Sequence, residues 1–528
     1  MRITNGIMNN NAKNNITLNK EYADKLNTQV ATGQKITRPS DDPVIAIRAL
    51  RLNTNIAELN QYYDKNIPDA EAWLTTTETA LDQTNKVIES IQSNLTTGAS
   101  DDNTAGDRMN LLENMSALRK QIYAAGNADY AGRTVFTGYR TSEPLTFLED
   151  TNNLQYTMIQ TLDFKEVSKI NYVSGSFDVN KSNIPDPNDP ATAIVENRIQ
   201  NNEVFRARLA YDKLDYPQVN ADGTALAPEI SYTMKDGTTG TINVQVDQLG
   251  TDQAANDALY TSIGDDEVRL IADTGELILG KNVAEKLQAD GSKFQIEYSK
   301  HEFLKGDLRP EHYFACKSKD TADAASKVIP YNYKDDQTTP DIDKDTNKIT
   351  RQKINYEVAF NQSLEINTNA ADVYSHDIGR DVDELVEATQ AVLDVEDKIK
   401  TLEEMQKDTS YTEDELKSIN GMLEACRKQF DYLKENMQQL FSSAITRFQD
   451  YAARLNTENT AAGSKSERLA LTKERVSEQR QNFKELADSN INIDLTDAAI
   501  DLKSAEVALQ AAQSATAKIV QQTLLNYI

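Results

Sequence analysis

A long run of apolar residues, spaced alternately by three and four, most constrains the fold of this chain. The run begins directly after Thr412 and Glu415, whose spacing is that of a helix-initiating capping box. It continues to about residue 487, with one longer step that locally unwinds a coiled coil. A single helix of that length extends roughly 110 Å, which suits a rod better than a compact globule. Its first apolar positions are Leu416, Ile419, Leu423, Cys426, Phe430, Leu433, Met437, Leu440 and Ala444.

Other segments with helical periodicity supply partners for this helix. One precedes it at 378–402, and another lies near the N-terminus at 74–95. Ser100 or Asp102 is expected to be the N-cap of the helix that follows residue 95. The last segment, 495–519, has mostly Ala at one of its two apolar positions. A helix with so thin an apolar face is marginal alone in water and needs partners.

The middle of the chain, about 146–370, has a different character. It contains alternating apolar and polar residues with Asp-Gly and Thr-Gly turns, which are typical of hairpins. Strands are predicted within 230–246, 268–280, 294–300 and 354–366. The chain is therefore predicted to be mainly α with a β-rich insert. Long paired N- and C-terminal helices would form coiled-coil or rod domains, and the central domain would be β-rich (α+β).

Charge and cysteine content exclude several classes of protein. The formal net charge is −27, which argues against nucleic acid and anionic membrane as partners. Two cysteines in 528 residues cannot form a disulfide framework or a Cys-rich zinc site. The N-terminal residues lack the apolar core of a signal peptide, and no apolar run is long enough to span a membrane.

The sequence contains fragments of metal motifs but no complete one. His301 and Glu302 begin a zinc-protease motif, but Lys305 stands where the second histidine belongs. Residues 341–347 resemble the start of a calcium loop, but Thr346 replaces the required Gly and Gln352 replaces the bidentate Glu. We therefore predict no catalytic, cofactor-binding or metal-binding residues, no cofactor and no enzymatic activity.

The segment ITRPSDDPVIAIRAL (36–50) reads as a joint between two helices. Pro39 disfavours helical dihedrals at Arg38, so the first helix should end near residues 36–37. Asp42 is suited to be the N-cap of the next helix, with Pro43 at its first position. Two carboxylates without a neighbouring nucleophile or histidine make a poor active site. Pro39, Asp42 and Pro43 are therefore predicted to form a domain joint.

Both ends of the chain resemble the flagellin family. At the N-terminal end the resemblance is carried by QVATGQKITRPSDDPVIAIRAL (29–50), YYDKNIPDAEAWLTTTETALDQTNKVIESI (62–91) and GRTVFTGYRTSEPLTF (132–147). At the other end it is carried by residues 459–528. It covers about 1–147 and 370–528, and the middle of the chain does not enter it.

The resemblance implies three domains and a route out of the cell. Residues 1–38 with 488–528 would form an inner terminal coiled-coil domain, and 39–145 with 371–487 a helical rod domain. Residues 146–370 would form a β-rich outer insert. Family members are exported by the flagellar type III apparatus without a cleaved signal peptide. The implied location is therefore secreted and extracellular, in the bacterial flagellum.

The resemblance also implies a structural role in motility. Pro43 and AWLTTTETAL (72–81) resemble the family's hook–filament junction subunits more than its filament subunits. The implied function is an adaptor joining hook to filament. The alternatives are a filament flagellin, or a surface adhesin or hydrolase insert carried on a flagellin-like scaffold.

Several partners and assembly contacts follow from this role. The implied partners are copies of the chain in a ring, a hook-associated protein on the hook side, filament flagellin on the distal side and an export chaperone. Terminal-helix residues are expected to pack within and between subunits, and these are Ile3, Ile7, Leu495, Ala498, Leu502, Ala505, Leu509, Ile519, Leu524 and Leu525.

Overall fold

The computed structural model describes residues 5–100, 102–181, 184–188, 193–289, 291–323, 325–331 and 353–525. A π-helical turn at Tyr62–Asn66 joins the second helix to the third. The described helices are α1 (Asn5–Thr32), α2 (Pro43–Gln61), α3 (Ile67–Gly98), α4 (Ala105–Gln121), α5 (Gln253–Thr261), α6 (Lys281–Leu287), α7 (Ala370–Val373), α8 (His376–Lys407), α9 (Glu413–Ile491) and α10 (Leu495–Leu525).

The described strands form two larger sheets and two hairpins. They are β1 (Asp129–Tyr130), β2 (Arg133–Thr134), β3 (Leu154–Asp163), β4 (Ser168–Ser174), β5 (Gln200–Arg208), β6 (Glu229–Thr233), β7 (Thr239–Asn243), β8 (Gln245–Asp247), β9 (Val268–Ile271), β10 (Glu276–Leu279), β11 (Lys293–Lys300), β12 (Ala315–Asp320), β13 (Ile329–Pro330), β14 (Asn355–Ala359) and β15 (Gln362–Glu365). One sheet has the order β4-β5-β10-β9-β8 and the other β13-β12-β3-β11-β6-β7. β1 pairs with β2, and β14 pairs with β15.

The chain divides into two compact units. The terminal unit comprises residues 1–70, 356–364 and 467–528, and the central unit comprises residues 71–355 and 365–466. The mainly α architecture with a β-rich middle agrees with the predicted fold class. The division into three domains at residues 38, 145, 370 and 487 stays a prediction.

In the terminal unit, α1 ends earlier than predicted. It stops at Thr32, not near residues 36–37, because Gly33 adopts a φ of +70° and donates its N–H to the Gln29 carbonyl at 2.8 Å. A glycine in the left-handed region just beyond the last turn is a common helix stop. The next residues lie against the end of α9 and the linker to α10, since Lys35 N–H donates to the Ile491 carbonyl at 2.7 Å and Ile493 N–H to the Gly33 carbonyl at 3.0 Å.

The end of α9 within the terminal unit packs on the π-helical turn after α2. Arg480 lies 4.0 Å from the ring centroid of Tyr63 and forms an ion pair with Asp64 at 3.1 Å. The β14–β15 hairpin also reaches this turn, because Phe360 makes an edge-to-face contact with Tyr62 at 5.7 Å.

In the central unit, the predicted helical faces are buried as expected. Those on α3 include Leu74, Leu81, Ile88 and Leu95, each at most 1% exposed. The α9 capping box forms, since Glu415 N–H donates to Thr412 Oγ1 and Thr412 N–H donates to Glu415 Oε2.

The predicted cap of α4 is wrong. Thr104, and neither Ser100 nor Asp102, is the N-cap, and Asp107 three residues later completes a reciprocal capping box. The Thr-x-x-Asp spacing satisfies two backbone N–H groups at the helix start. This spacing explains why the helix begins at Ala105.

The predicted strands form in the insert. β6 and β7 pair antiparallel with Glu229 opposite Asn243, and β9 and β10 pair antiparallel with Glu276 opposite Ile271. The strands predicted within 294–300 and 354–366 correspond to β11 and to the β14–β15 hairpin. Residues 341–347, which resemble the start of a calcium loop, lie outside the described residues.

A buried charge network holds the five-stranded sheet to the helices of the central unit. Arg206 and Arg208, on β5, both pair with Glu384 on α8, at 2.5 and 2.7 Å. Arg208 also pairs with Asp381 on α8, whose other partners come from α9: Arg447 at 3.1 Å and the hydroxyl of Tyr451 at 2.9 Å. These arginines lower the pKa of Glu384 to about 2, against the opposing effect of burial.

Among the described helices, none combines the length and hydropathy that a membrane span requires.

Candidate assembly surface

The two terminal helices pack on each other along small and branched side chains. The α1–α10 seam consists of Ala23 and Leu26 from α1 with Leu502 and Ala505 from α10. Ala505 is 4% exposed and Leu26 is 5% exposed. Small residues let the two helices approach closely, but they bury little apolar area. The seam therefore pairs the two helices within one chain, but the apolar area that it buries stabilises this pairing only modestly.

The residues predicted to make assembly contacts fall into four groups. Ala498, Leu502 and Ala505 face into the chain, since Ala498 is 2% exposed and the other two lie in the seam. Leu509 is half-buried. Ile7 and Leu495 are exposed by 51% and 55%. Outside the described residues are Ile3 and the side chains of Ile519, Leu524 and Leu525.

The opposite face of α10 carries apolar residues that the sequence analysis missed. Ile500 and Val507 are exposed by 60% and 57%. They are seven residues apart, so they point in nearly the same direction from the helix. Their spacing was a usable signal, but the longer Ala/Leu pattern on the same helix dominated the interpretation. On α1, Leu18 and Tyr22 are similarly exposed, by 62% and 53%.

A second exposed apolar face lies on α2 and was also missed. The α2 stripe consists of Val44, Ile47 and Leu50, which are exposed by 66%, 54% and 70%. Their spacing of three places them along one side of the helix. Arg48 and Arg51, both exposed, lie on the same helix. Three large apolar side chains together on one exposed face mark an interaction surface more often than scattered single ones do.

The predicted joint orients the start of α2. Asp42 is the N-cap, with its Oδ1 accepting from Val44 N–H at 3.0 Å and Ile45 N–H at 3.2 Å, and Pro43 is the first helical residue. Asp41 Oδ2 accepts from the backbone N–H groups of Arg38 at 2.8 Å and Thr37 at 3.1 Å. These bonds lower the pKa of Asp41. The hydrogen bonds of Asp41 and Asp42 fix the direction in which α2 starts and so the direction in which its stripe faces. The role of Pro39, Asp42 and Pro43 as a domain joint stays a prediction.

The side chains that could in principle react or bind a metal are held in structural contacts. His301 Nδ1 pairs with the buried Asp215 carboxylate at 2.5 Å, and no cluster of three metal-binding side chains occurs among the described residues. Cys426 is buried in the α8–α9 core, where burial raises its thiol pKa to about 11. Burial also raises the pKa of the Cys316 thiol well above its ordinary value. A thiol protonated at neutral pH is a poor nucleophile.

The exposed apolar faces of the terminal unit are suited to association with other protein subunits. Most of the large apolar side chains that are exposed in the described chain belong to the terminal unit, although the central unit is much larger. Burying such side chains against a neighbour stabilises the contact by about 1.5–3 kcal/mol for each one fully buried.

Known proteins match part of this chain. The family model for the bacterial flagellin N-terminal helical region matches residues 3–141. Flagellar hook-associated protein 3 of Salmonella typhimurium is 25% identical over 284 residues, which span 50% of this chain and 87% of that protein. Flagellin of Clostridium tyrobutyricum is 27% identical over 127 residues, which span 24% of this chain and 33% of that protein.

A solved structure is also similar. The flagellar junction protein from Legionella pneumophila is 10% identical, with a TM-score of 0.27, and the match covers 85% of this chain and 100% of that one.

Proposed function

We propose that this chain is a structural protein of the bacterial flagellum, the adaptor that joins the hook to the filament. The match of residues 3–141 to the flagellin N-terminal helical region and the likeness to a flagellar hook-associated protein support this proposal. The extent of the match supports the junction role over the filament role. The hook-associated protein of Salmonella typhimurium is matched over 87% of its length and that of Escherichia coli over 39%, whereas the flagellin is matched over 33%. A chain that retains nearly the whole length of a hook-associated protein is best placed at the same boundary.

The exposed apolar faces of the terminal unit carry this proposal. The α1–α10 seam pairs the two terminal helices, and the α2 stripe and the Ile500/Val507 face remain open to solvent. Apolar faces of this kind are costly to leave in water. In an assembled ring, neighbouring copies would cover them.

Assembly also supplies the free energy that orders the terminal helices. The seam is thin, so the paired helices gain little from each other alone. Fixing the backbone costs about 1–2 kcal/mol per residue. The additional contacts between copies offset this cost when the subunit joins the flagellum.

The partners and the route follow from the junction role. The subunit would form a ring of its own copies, contact a hook-associated protein on one side and contact filament flagellin on the other. It would pass through the flagellar type III apparatus with an export chaperone. The likeness of the chain to flagellar proteins supports these partners and this route.

Removal of residues 489–528 tests the proposal. The deletion removes α10 and with it the partner of α1. We expect a soluble, exported chain that cannot join hook to filament, so cells carry hooks without filaments. Normal filaments in that strain would contradict the proposal.

Filament flagellin is the second candidate, and the likeness to the Clostridium tyrobutyricum protein favours it. The two candidates differ in copy number and position. An adaptor occupies only the boundary, whereas a flagellin extends along the whole filament.

A further inference from the structure

A lysine buried in the β-rich insert lies against an aspartate from a neighbouring segment. Lys300, the last residue of β11, has a side chain that is 2% exposed. Its Nζ donates to the backbone carbonyls of Asp212 at 2.6 Å and Lys213 at 3.2 Å, and lies 3.9 Å from Asp212 Oδ1. Lysine is almost never fully buried in proteins unless it is paired. This lysine is therefore buried beside the Asp212 carboxyl, whose side chain is 40% exposed.

The backbone around Asp212 holds the two groups together. Lys213 adopts a φ of +47°, in the left-handed region that residues with a side chain rarely occupy. Lys213 N–H donates to the Asp273 carbonyl at 3.0 Å and Leu214 N–H to the Ala272 carbonyl at 2.8 Å. These bonds fix the loop after β5 so that the carbonyls of Asp212 and Lys213 both accept hydrogen bonds from the Lys300 amine. Such backbone strain concentrates at sites with a function.

The other side of Asp212 faces a cavity with groups that could assist a reaction. Asp212, Asp307 and Arg380 all line a cavity of about 300 Å³. Arg380 Nη1 lies 3.3 Å from Asp212 Oδ2, on the oxygen opposite the lysine. Burial lowers the pKa of the Lys300 amine and raises the pKa of the Asp307 carboxyl. The first shift favours the neutral Lys300 amine, which is the nucleophilic form. The second favours the neutral Asp307 carboxylic acid, which carries a transferable proton.

We propose that Lys300 and Asp212 form an intramolecular amide bond. The neutral Nζ attacks Asp212 Cγ, the new N–C bond forms and one C–O bond breaks. Two protons reach the departing oxygen: the ammonium gives the first to the Asp212 carboxylate before the attack, and the second passes from the nitrogen after the N–C bond has formed. The oxygen then leaves as water into the cavity. The ion pair of ammonium and carboxylate thus becomes an amide and one water molecule, and no oxidant or reductant is needed.

Neighbouring groups have defined parts in this step. The Arg380 guanidinium stabilises the negative charge that develops on the Asp212 oxygen. Asp307 relays the proton across the cavity. The fixed approach of amine and carboxyl supplies the effective concentration that a bimolecular condensation in water lacks.

The bond would cross-link an insert whose one cysteine, Cys316, is free. Lys300 and Asp212 are 88 residues apart in the chain, so the amide closes a long loop between β11 and the segment after β5. Closing a long loop restricts the unfolded chain and stabilises the folded one, as a disulfide does. The insert would thereby resist heat and proteolysis outside the cell.

Intact mass spectrometry of the purified full chain tests the proposal. We expect a mass lower than that of the sequence by one water molecule, and a branched tryptic peptide that joins the Lys300 and Asp212 segments. Lys300→Met should restore the full mass. Asp212→Asn should give the same cross-linked product with loss of ammonia in place of water.

Two further variants separate the chemistry from general effects on the fold. Lys293→Ala, which removes an exposed lysine at the other end of β11, should leave the loss of water unchanged. Asp307→Asn should slow the appearance of the cross-linked mass after synthesis, and an unchanged rate would contradict the relay assigned to Asp307. A wild-type chain of full mass, with Lys300 and Asp212 in separate linear peptides after prolonged incubation, would overturn the proposal.

Discussion

Arg208, on a strand of the insert, forms an ion pair with Asp381 on α8, and Asp381 is fully buried. Arg447 and Tyr451, on α9, share the same carboxylate. One carboxylate thus binds a sheet and two helices of the central unit together. Glu276 pairs with Arg206 at 2.6 Å, so three arginines face three carboxylates in this network. Paired charges are the condition under which buried ions are tolerated.

Removing one partner of this pair should destabilise the central unit strongly. Arg208→Met leaves Asp381 with one cation fewer in a buried site, at a cost of about 3–5 kcal/mol in the free energy of unfolding. Trp73, the single tryptophan, is 1% exposed in the central unit, so its fluorescence in a urea titration reports this unfolding. Lys169→Met is the matched control. It breaks the exposed Lys169–Glu203 pair and should cost at most about 1 kcal/mol. Equal effects of the two variants would contradict the role given to the network.

The same network should make the central unit sensitive to acid. The pKa of Glu384 falls from 4.5 to about 2 in the folded chain. A depressed carboxyl pKa contributes stability that is fully present above the unfolded value and lost as the pH falls toward the folded one. Stability should therefore drop between about pH 4.5 and about pH 2.

The Glu384→Gln variant isolates this contribution. It should be less stable than the wild type at neutral pH, and its stability should change less over the acidic range. Urea titrations at several pH values measure both effects. Parallel curves for the two chains would assign the acid sensitivity to other carboxyls.

The α1–α10 seam should not tolerate a charge. Ala505→Glu places a carboxylate between α1 and α10, where a charge without a partner is strongly unfavourable. We expect faster amide hydrogen exchange in both helices. Ala511→Glu, at an exposed position of the same helix, should leave exchange unchanged. Equal protection in the two variants would mean that the seam does not hold the helices together.

The α2 stripe should matter for assembly and not for folding. Ile47→Glu and Leu50→Glu change exposed side chains, so the helix content measured by circular dichroism should stay the same. Incorporation into flagella and motility should fall sharply, because a charge would enter the contact between subunits. Met109→Glu, at an equally exposed position of the central unit, is the control that should keep motility. If cells carrying either stripe variant stay motile, the α2 stripe is not part of the assembly contact.

Local patterns in the sequence predicted much of the fold. The Thr412/Glu415 capping box and the apolar repeat predicted α9, and the Asp-Gly turn predicted the β6–β7 hairpin. These signals act within a few residues of each other, so the sequence displays them directly. Two helix boundaries were nevertheless predicted wrongly. Gly33 ends α1, although Pro39 indicated a later end, and Thr104 caps α4, although Asp102 indicated an earlier start.

Contacts between distant segments could not be predicted. Arg208 and Asp381 are 173 residues apart, and nothing local in either segment indicates the partner. The exposed faces of α2 and α10 were also missed, since periodicity identifies an apolar face without showing whether the folded chain covers it. Only the fold separates Ala505, which is 4% exposed, from Val507, which is 57% exposed.

Immunogold electron microscopy of intact flagella tests the central claim most directly. Antibodies against the insert, or against a tag placed in it, would locate the chain along the flagellum. An adaptor predicts label confined to the boundary between hook and filament. Label distributed along the whole filament would contradict the junction role and identify the chain as a filament subunit.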